Sequence, residues 1–410
     1  MKVDYITLSI PVFFLLIGIE FFYGLKKNIQ LYRFNDSVTN ISLGIGQQVT
    51  GVFMKTALFY GYLYLYENMR FATVESTVLT WLALFIGVDF FYYWFHRLSH
   101  EVNALWAAHI VHHQSEDYNL SVALRQSWFQ SAFSWAFYLP LAFIGFEPVM
   151  FLTISSFNTL YQFWIHTRTI HKMGPLEWFL NTPSHHRVHH GSDSRYLDKN
   201  HGGTLIIWDR MFGTFKEEDI EPHYGITTPL KSWNPVWANF HYWSELFKAA
   251  RAARGLSSKI MVFIKPPGWY PDDSGRLKPP VLNDNREFIK YDAGVTGPVN
   301  YYLLTQFALV IAITSVILFL EAHFSALQLV VSSVWVIASI SIFGALFEKN
   351  SWANIGEYGR LLSLPVLTLL FIDNPEFQLI ITGISIVTGS SMIWFYRLNI
   401  QSAYLQTGKI

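Results

Sequence analysis

Residues 76–95 read STVLTWLALFIGVDFFYYWF, and residues 96–113 continue as HRLSHEVNALWAAHIVHH. The first stretch is an apolar run long enough to cross a lipid bilayer as a helix. The second stretch begins where that run ends, and it carries five histidines. Together they predict a membrane helix that places a cluster of imidazole side chains at one face of the bilayer.

Further apolar runs indicate that the chain crosses the bilayer several times. Those of spanning length lie near 6–25, 44–66, 301–320 and 325–347, and shorter ones near 127–147, 149–165, 361–372 and 376–395. Charged residues make up 14% of the chain, whereas soluble domains usually carry about 25%. These features predict an all-α fold, a multi-pass transmembrane helical bundle.

Two segments allow more than one interpretation. Residues 127–165 are divided by Glu147 and Pro148, so they form either two full spans or a re-entrant helical hairpin. Apolar residues recur at helical spacing over residues 236–250. That pattern predicts either a helix lying in the membrane interface or an amphipathic helix of the protein core.

The distribution of basic residues predicts how the bundle is oriented. Lys26 and Lys27 follow the first apolar run, and Arg33 is close behind, whereas the connection after the second run holds only Arg70 in its core. Because basic residues are retained on the cytoplasmic side, the third run should end at Phe95 in the cytoplasm. We therefore expect an integral protein of the bacterial inner membrane or endoplasmic reticulum, with its histidines in a helical cap on the cytoplasmic face.

The chain is predicted to contain three domains. Residues 1–75 form N-terminal transmembrane helices, residues 76–300 form a central domain with the cytoplasmic cap, and residues 301–410 form C-terminal transmembrane helices. Prolines and glycines are frequent between residues 266 and 298, which predicts an irregular connection before the last domain.

Eleven of the fifteen histidines fall between residues 96 and 190. Their clusters are HRLSH at 96–100, HIVHH at 109–113 and HHRVHH at 185–190. Residues three or four apart share a helix face, so each cluster presents several imidazoles to one side. His100 and His109, however, are separated by about 900° of helical rotation and would face opposite ways. If both bind one centre, the chain must bend near Glu101–Leu105.

The histidine clusters predict two metal ions. The chain has no cysteine, so thiolate-ligated metals and iron–sulfur clusters are excluded. Zinc and iron both accept imidazole ligands, and eight or more histidines exceed what one ion can bind. A paired-metal site activates either water or oxygen. We favour oxygen, because the adjacent apolar helices suit a lipid chain and because no G-x-S-x-G nucleophile motif is present. The net charge of zero gives no indication of nucleic-acid binding.

Longer stretches of the sequence resemble the fatty acid hydroxylase and sterol desaturase superfamily of membrane di-iron enzymes, and within it the enzymes that cleave ether lipids. The resemblance covers roughly residues 85–230. It is carried by HRLSHE at 96–101, HIVHHQSEDYNLSVALRQS at 109–127, YQFWIHT at 161–167, GPLEWFLNTPSHHRVHHG at 174–191 and DKNHGGTLIIWDRMFGTF at 198–215.

The resemblance implies the site residues. The metal ligands it implies are His96, His100, His109, His112, His113, His186, His189 and His190, with His166 and His185 as further ligands. Glu101 follows the first motif directly, where the ether-lipid enzyme has a glutamate implicated in pterin-dependent activity, so the resemblance implies a catalytic role for Glu101. A carboxylate that orients a ligand imidazole explains Glu101 equally well.

The resemblance also implies an activity and its cofactors. It implies two iron ions and an external reductant, which is tetrahydrobiopterin in the animal enzyme, and a monooxygenase that uses O2 to hydroxylate a lipid C–H bond. An alkylglycerol ether would then yield a fatty aldehyde and a glycerol derivative. The residues that contact the reductant, and the electron donor itself, are open. Alternatives are a sterol, carotenoid or fatty-acyl substrate, a membrane metal-handling protein, and a di-zinc hydrolase.

Overall fold

The computed structural model describes residues 5–269, 288–294, 297–371 and 377–406, without the side chains of 377–381 and 400–406. Within these ranges the chain is helical and forms no β-strand beyond two isolated bridges. The helices are α1 (Tyr5–Lys27), α2 (Phe34–Met69), α3 (Val78–Glu101), α4 (Asn103–Ala107), α5 (Ile110–His113), α6 (Gln130–Ile144), α7 (Pro148–Trp164), α8 (Pro183–His189), α9 (Ile207–Phe212), α10 (Pro235–Ala252), α11 (Leu256–Ile264), α12 (Gly297–Leu320), α13 (Ala326–Phe347), α14 (Ala353–Thr368) and α15 (Phe377–Gln406).

Four segments of the described chain are long and apolar enough to cross a membrane. They are α1, α3, the segment Gly297–His323 that contains α12, and α13. Each corresponds to one of the predicted spans. Helix α2 covers the predicted span at 44–66, but it does not reach the same apolarity.

The chain divides into two compact units. One consists of Met1–Lys231 and Trp237–Tyr291, and the other of Ser232–Val236 and Asp292–Ile410. The predicted proline- and glycine-rich connection includes Pro271, Gly275, Pro279 and Pro280, which lie outside the described residues.

The predicted bend between His100 and His109 is confirmed. Helix α3 ends at Glu101, Val102 is extended, and α4 begins at Asn103. Buried Asn103 holds the bend, because its backbone N–H donates to Lys265 O at 3.0 Å and its side-chain Nδ2 donates to Val262 O at 2.8 Å. The turn brings the HIVHH segment back against the end of α3.

Helices α6 and α7 occupy the segment 127–165, for which the sequence predicts either two full spans or a re-entrant hairpin. They contain 15 and 17 residues, fewer than the approximately 20 needed to cross the hydrocarbon core. Gly145 ends α6 with φ of 110°, and a Cβ there would lie 1.9 Å from the backbone oxygen of Ala72. Only glycine fits this turn. The lengths favour a hairpin over two full spans.

Helix α10 combines both interpretations of residues 236–250. Ala238, Tyr242 and Leu246 are buried and pack in the core, whereas Trp237 and Phe247 on the other face are exposed. The buried face is that of an ordinary core helix. The exposed aromatic side chains are also what a helix at a membrane interface presents.

Candidate metal centre

Four short segments bring nine histidines together. His96 and His100 lie in the last turns of α3, and the HIVHH segment enters through the bend at Val102. His166 follows the end of α7, and the remaining three come from α8 and the residue after it. All nine are buried, with at most 8% of any of them exposed.

The nine imidazoles form two groups. His96, His100, His109, His113 and His189 form the five-histidine group, and His112, His166, His186 and His190 form the four-histidine group. Within each group one nitrogen from every ring lies within 4.8 Å of all the others. An ion with metal–nitrogen bonds of about 2.1 Å holds its ligand atoms within roughly 4.2 Å of one another. Each group is therefore close to the size of one coordination sphere.

The hydrogen bonds of the Nδ1 atoms orient the rings. His96 donates to the carbonyl oxygen of His201 at 2.7 Å, and His112 donates to that of Arg125 at 2.9 Å. The same pattern, Nδ1 facing an oxygen at 2.7 to 2.9 Å, holds for His109, His166 and His189. Because each Nδ1 carries the proton, each Nε2 keeps its lone pair for a metal.

The Nε2 atoms that face one another within each group are arranged to bind a cation. Nε2 of His109 lies 3.1 Å from Nε2 of both His96 and His113. Nε2 of His166 lies 3.2 Å from that of His112 and 3.0 Å from that of His186. Lone pairs facing each other at this distance repel, unless a positive ion lies between them. In the described chain, the buried Nε2 atoms of His100, His189 and His190 also have no hydrogen-bond partner.

Burial favours the neutral form of five of these imidazoles. Burial lowers the pKa of His109 to about 3 and that of His166 to about 4. It also holds the pKa of His112, His113 and His190 well below the ordinary value. Neutral imidazole is the form that binds metal ions, so the centre is ready to bind metal at neutral pH.

Contacts between the rings show how each group is arranged. His100 contacts all four other rings of its group at centroid distances of 4.7 to 5.6 Å. In the described chain no ring contact joins His96 to His113 or His109 to His189. The other four rings therefore contact one another in a cycle, His96 to His109 to His113 to His189 and back to His96, and His100 contacts every one of them.

The four-histidine group has a different arrangement. The rings of His112 and His186 are farthest apart, with centroids 6.3 Å from each other, while the rings of His166 and His190 contact each other at 5.1 Å and also contact both of the others. This arrangement places His112 and His186 on opposite sides of the group. It would offer a bound ion one imidazole fewer than the five-histidine group.

Comparisons with known proteins agree with this site. Residues 81–214 match the family model described as fatty acid hydroxylase. The chain is 38% identical to alkylglycerol monooxygenase of Xenopus tropicalis over 88% of this chain and 81% of the relative. It is equally identical to alkylglycerol monooxygenase of Homo sapiens, over 89% of this chain and 82% of the relative. This chain belongs to the fatty acid hydroxylase family. The predicted superfamily is confirmed.

Another relative matches a smaller part of the chain. Ornithine lipid hydroxylase OlsE of Rhizobium tropici is 31% identical over 36% of this chain and 42% of its own length. No solved structure matches.

Two residues that the sequence resemblance placed in this fatty acid hydroxylase site lie outside both groups. His185 is buried, but its ring packs 5.4 Å from that of Phe215 and belongs to neither group. Glu101 has 40% of its side chain exposed and pairs with Arg97 at 2.8 Å. His166, the other further ligand, lies within the four-histidine group.

His201 is the residue that the sequence interpretation missed. It is fully buried, and its ring lies 5.0 Å from that of His100 and 5.5 Å from that of His189. Neither of its ring nitrogens makes a hydrogen bond within the described chain. Burial holds the pKa of His201 well below the ordinary value, and the nearby backbone of Asp198 only partly opposes this effect. It lies outside the histidine clusters, so no spacing pattern marks it. It lies beside the five-histidine group, against the rings of His96, His100 and His189.

Proposed function

We propose that this protein is an oxygen-dependent di-iron lipid monooxygenase that cleaves alkylglycerol ethers. One observation carries the proposal: nine buried imidazoles form two metal-sized groups in a chain that shares 38% identity with alkylglycerol monooxygenases over most of both chains. The name of those relatives gives the substrate, and the imidazoles supply a site for the chemistry.

The five-histidine and four-histidine groups would each hold one iron ion. When bound, iron supplies the activation of O2 that lets an inert C–H bond be hydroxylated. The Nδ1 hydrogen bonds of His96 and His166 fix these rings so that Nε2 would face a bound metal, and burial keeps bulk water away from the site. Histidine alone, with no thiolate available, suits iron, and it also suits zinc.

The proposed reaction places a hydroxyl on the carbon next to the ether oxygen. One atom of O2 enters the lipid, and the other leaves as water with two electrons and two protons from an external reductant. The hydroxylated ether is a hemiacetal, which collapses to a fatty aldehyde and a glycerol derivative. Tetrahydrobiopterin is the first donor to test. Glu101 is a proposed contributor to this donor-dependent activity, and its ion pair with Arg97 ties it to the end of α3.

We also propose that the metal centre faces the cytoplasm. Basic residues Lys26 and Lys27 end α1, and the apolar helix α3 ends at the histidines. By the positive-inside rule we expect α1 to end in the cytoplasm. With α2 and α3 each crossing the bilayer, α3 then ends on the same side, at a bacterial inner membrane or the endoplasmic reticulum.

The decisive experiment combines metal analysis with substrate comparison. Protein purified without oxygen should contain about two iron ions per chain, with a Mössbauer spectrum of paired high-spin ferrous sites. With O2 and a reductant it should release fatty aldehyde from an alkylglycerol. Turnover without O2, or a zinc-only centre that stays active, would retire the proposal in favour of a hydrolase.

A second candidate keeps the iron chemistry and changes the lipid. The partial match to ornithine lipid hydroxylase favours it. Offering an ornithine lipid and an alkylglycerol to the same preparation separates the two. No aldehyde from the ether, with hydroxylation of the other lipid, would select the second candidate.

A further inference from the structure

A polar pair links α3 and α7 next to the metal centre. Tyr92 lies one helical turn before His96 on α3, and Gln162 lies one turn before His166, at the end of α7. The hydroxyl of Tyr92 donates to Oε1 of Gln162 at 2.6 Å. The ring of Tyr92 lies 5.2 Å from that of His96, and the backbone carbonyl of Gln162 accepts the Nδ1 proton of His166 at 2.7 Å. The pair therefore adjoins one ligand of each histidine group.

The direction of this hydrogen bond is set by Asp89. Its carboxylate accepts from the backbone N–H groups of Thr204 and Leu205 at 2.7 and 3.1 Å. It also accepts from the indole of Trp208 at 2.9 Å and from Nδ2 of Asn158 at 2.8 Å. All four partners can only donate in these bonds, so the carboxyl group acts only as an acceptor.

The donor and acceptor roles fixed at Asp89 then determine those of the side-chain amides of Asn158 and Gln162, and so that of Tyr92. Because Nδ2 of Asn158 donates to Asp89, its Oδ1 is the acceptor that receives Nε2 of Gln162 at 2.7 Å. Oε1 of Gln162 is then the acceptor for the Tyr92 proton. The hydroxyl oxygen of Tyr92 is left with lone pairs and no proton to give, and nothing in the described chain donates to it.

The network is less buried at its Tyr92 end than at its Asp89 end. Tyr92 and Gln162 are half-buried, whereas Asp89 and Asn158 are buried. Tyr92 also lies one turn nearer than His96 to the middle of the membrane-spanning helix α3, so a lipid that reached the metal centre along this helix would meet Tyr92 before His96.

We propose that Tyr92 is a substrate-binding residue whose hydroxyl oxygen accepts a hydrogen bond from a hydroxyl group of the lipid. The inference rests on the proposed function and adds a specificity to it. Because the Tyr92 oxygen can only accept, it favours a lipid with a free hydroxyl, which can donate, near the reacting ether. A site that bonds a substrate hydroxyl discriminates strongly against an analogue that lacks it.

The test compares two lipids with the same alkyl chain, a 1-O-alkylglycerol and its 2,3-di-O-methyl derivative. The Tyr92→Phe variant should lower kcat/KM for the alkylglycerol about tenfold or more, the effect of losing one well-formed hydrogen bond. Its kcat/KM for the di-O-methyl lipid should not change. Its iron content should equal that of the unmodified protein, because the metal ligands are intact.

Two further variants make the result specific. Tyr62→Phe is the control, since Tyr62 is a buried tyrosine whose hydroxyl donates to Phe146 O at 3.1 Å in a separate core cluster. It should leave the preference between the two lipids unchanged. Gln162→Met removes the acceptor that takes the Tyr92 proton, so Tyr92 becomes able to donate. The di-O-methyl lipid should then gain relative to the alkylglycerol.

Equilibrium binding of both lipids under anaerobic conditions is measured alongside turnover. A Tyr92→Phe protein that loses activity or affinity equally for both lipids, or for neither, overturns the inference while the proposed function stands. If the unmodified protein oxidises neither lipid, the proposed function fails, and the binding preference still decides the role of Tyr92.

Discussion

His185 and His186 are neighbours in the chain, yet only His186 belongs to a metal group. Successive residues of a helix point about 100° apart, so α8 turns one ring inward and the other toward Phe215. We predict that His185→Gln keeps about two metal ions per chain and that His186→Gln keeps about one. Metal analysis of both variants by mass spectrometry measures this. If the His185→Gln protein lost a metal ion, the result would mean that His185 is a metal ligand.

Sequence spacing predicted the residues that share a helix face and could not predict those that meet through folding. The three clusters are regular enough to be identified by spacing alone. His201 approaches His100 only because Asp89 and Asp209 hold the loop that carries it, through bonds to the backbone N–H groups of Thr204 and His201. Gln130, which orients His109, likewise lies on a different helix from its partner. Such contacts leave no pattern in a single sequence.

The lowered pKa values make the metal-free protein sensitive to acid. Burial lowers the pKa of His109 to about 3 and that of His166 to about 4, whereas an unfolded histidine titrates near 6.5. At pH values between the folded and unfolded pKa, these histidines are protonated in the unfolded chain and neutral in the folded chain. The free energy of unfolding therefore falls as pH falls below about 6.5.

We therefore predict a lower Tm at pH 4.5 than at pH 7.5 for chelator-treated protein. Calorimetry of the protein in detergent measures it. The iron-loaded protein is the control, and it should lose less over the same range, because bound metal competes with protons. An equal Tm at both pH values would mean that the imidazoles are not neutral and buried together.

At the scale of elements, the break between α3 and α4 decides whether two histidine motifs can meet. The rotation between His100 and His109 required a bend, and the sequence located it to within a few residues. It could not show what stabilises the bend. That role falls to Asn103, which is bonded to α11 and receives the hydroxyl of Tyr242 at 2.7 Å, contacts between segments far apart in the chain.

We predict that Asn103→Ala destabilises the protein and lowers its metal content. The change leaves the Val262 carbonyl and the Tyr242 hydroxyl buried without this partner, at a cost of about 1–3 kcal/mol for each group. Thermal unfolding and metal analysis measure the two effects. Asn68→Ala is the control, because Asn68 is exposed and its side chain bonds to Tyr64 O within α2 itself. A destabilised variant that still binds both metals would show that the bend is held elsewhere.

At the scale of the whole molecule, the apolar runs identified four helices of membrane-spanning length. They did not show how the other helices lie relative to the bilayer. Helices α1, α3, α12 and α13 each contain a long, strongly apolar stretch, so composition alone identifies them. Helix α2 and the hairpin of α6 and α7 carry polar residues, such as Asn40 and Gln130, that bond to other parts of the chain. A helix that faces both protein and lipid has a mixed composition, and its relation to the bilayer cannot be obtained from hydropathy.

The topology gives a prediction that the natural sequence makes easy to test, because the chain has no cysteine. Ser76 lies just before α3, and Lys172 lies after the metal-centre residue His166; both are exposed. If α3 crosses the bilayer, single-cysteine variants Ser76→Cys and Lys172→Cys should react with a membrane-impermeant maleimide from opposite sides of sealed vesicles. Lys172→Cys should be labelled from the cytoplasmic side, because the positive-inside rule predicts that the metal centre lies there.

The fold should tolerate the Lys172→Cys change, because the surface ion pair between Lys172 and Glu217 contributes little stability. Labelling of both from one side would mean that α3 does not cross, and the reverse pattern would place the metal centre outside the cytoplasm.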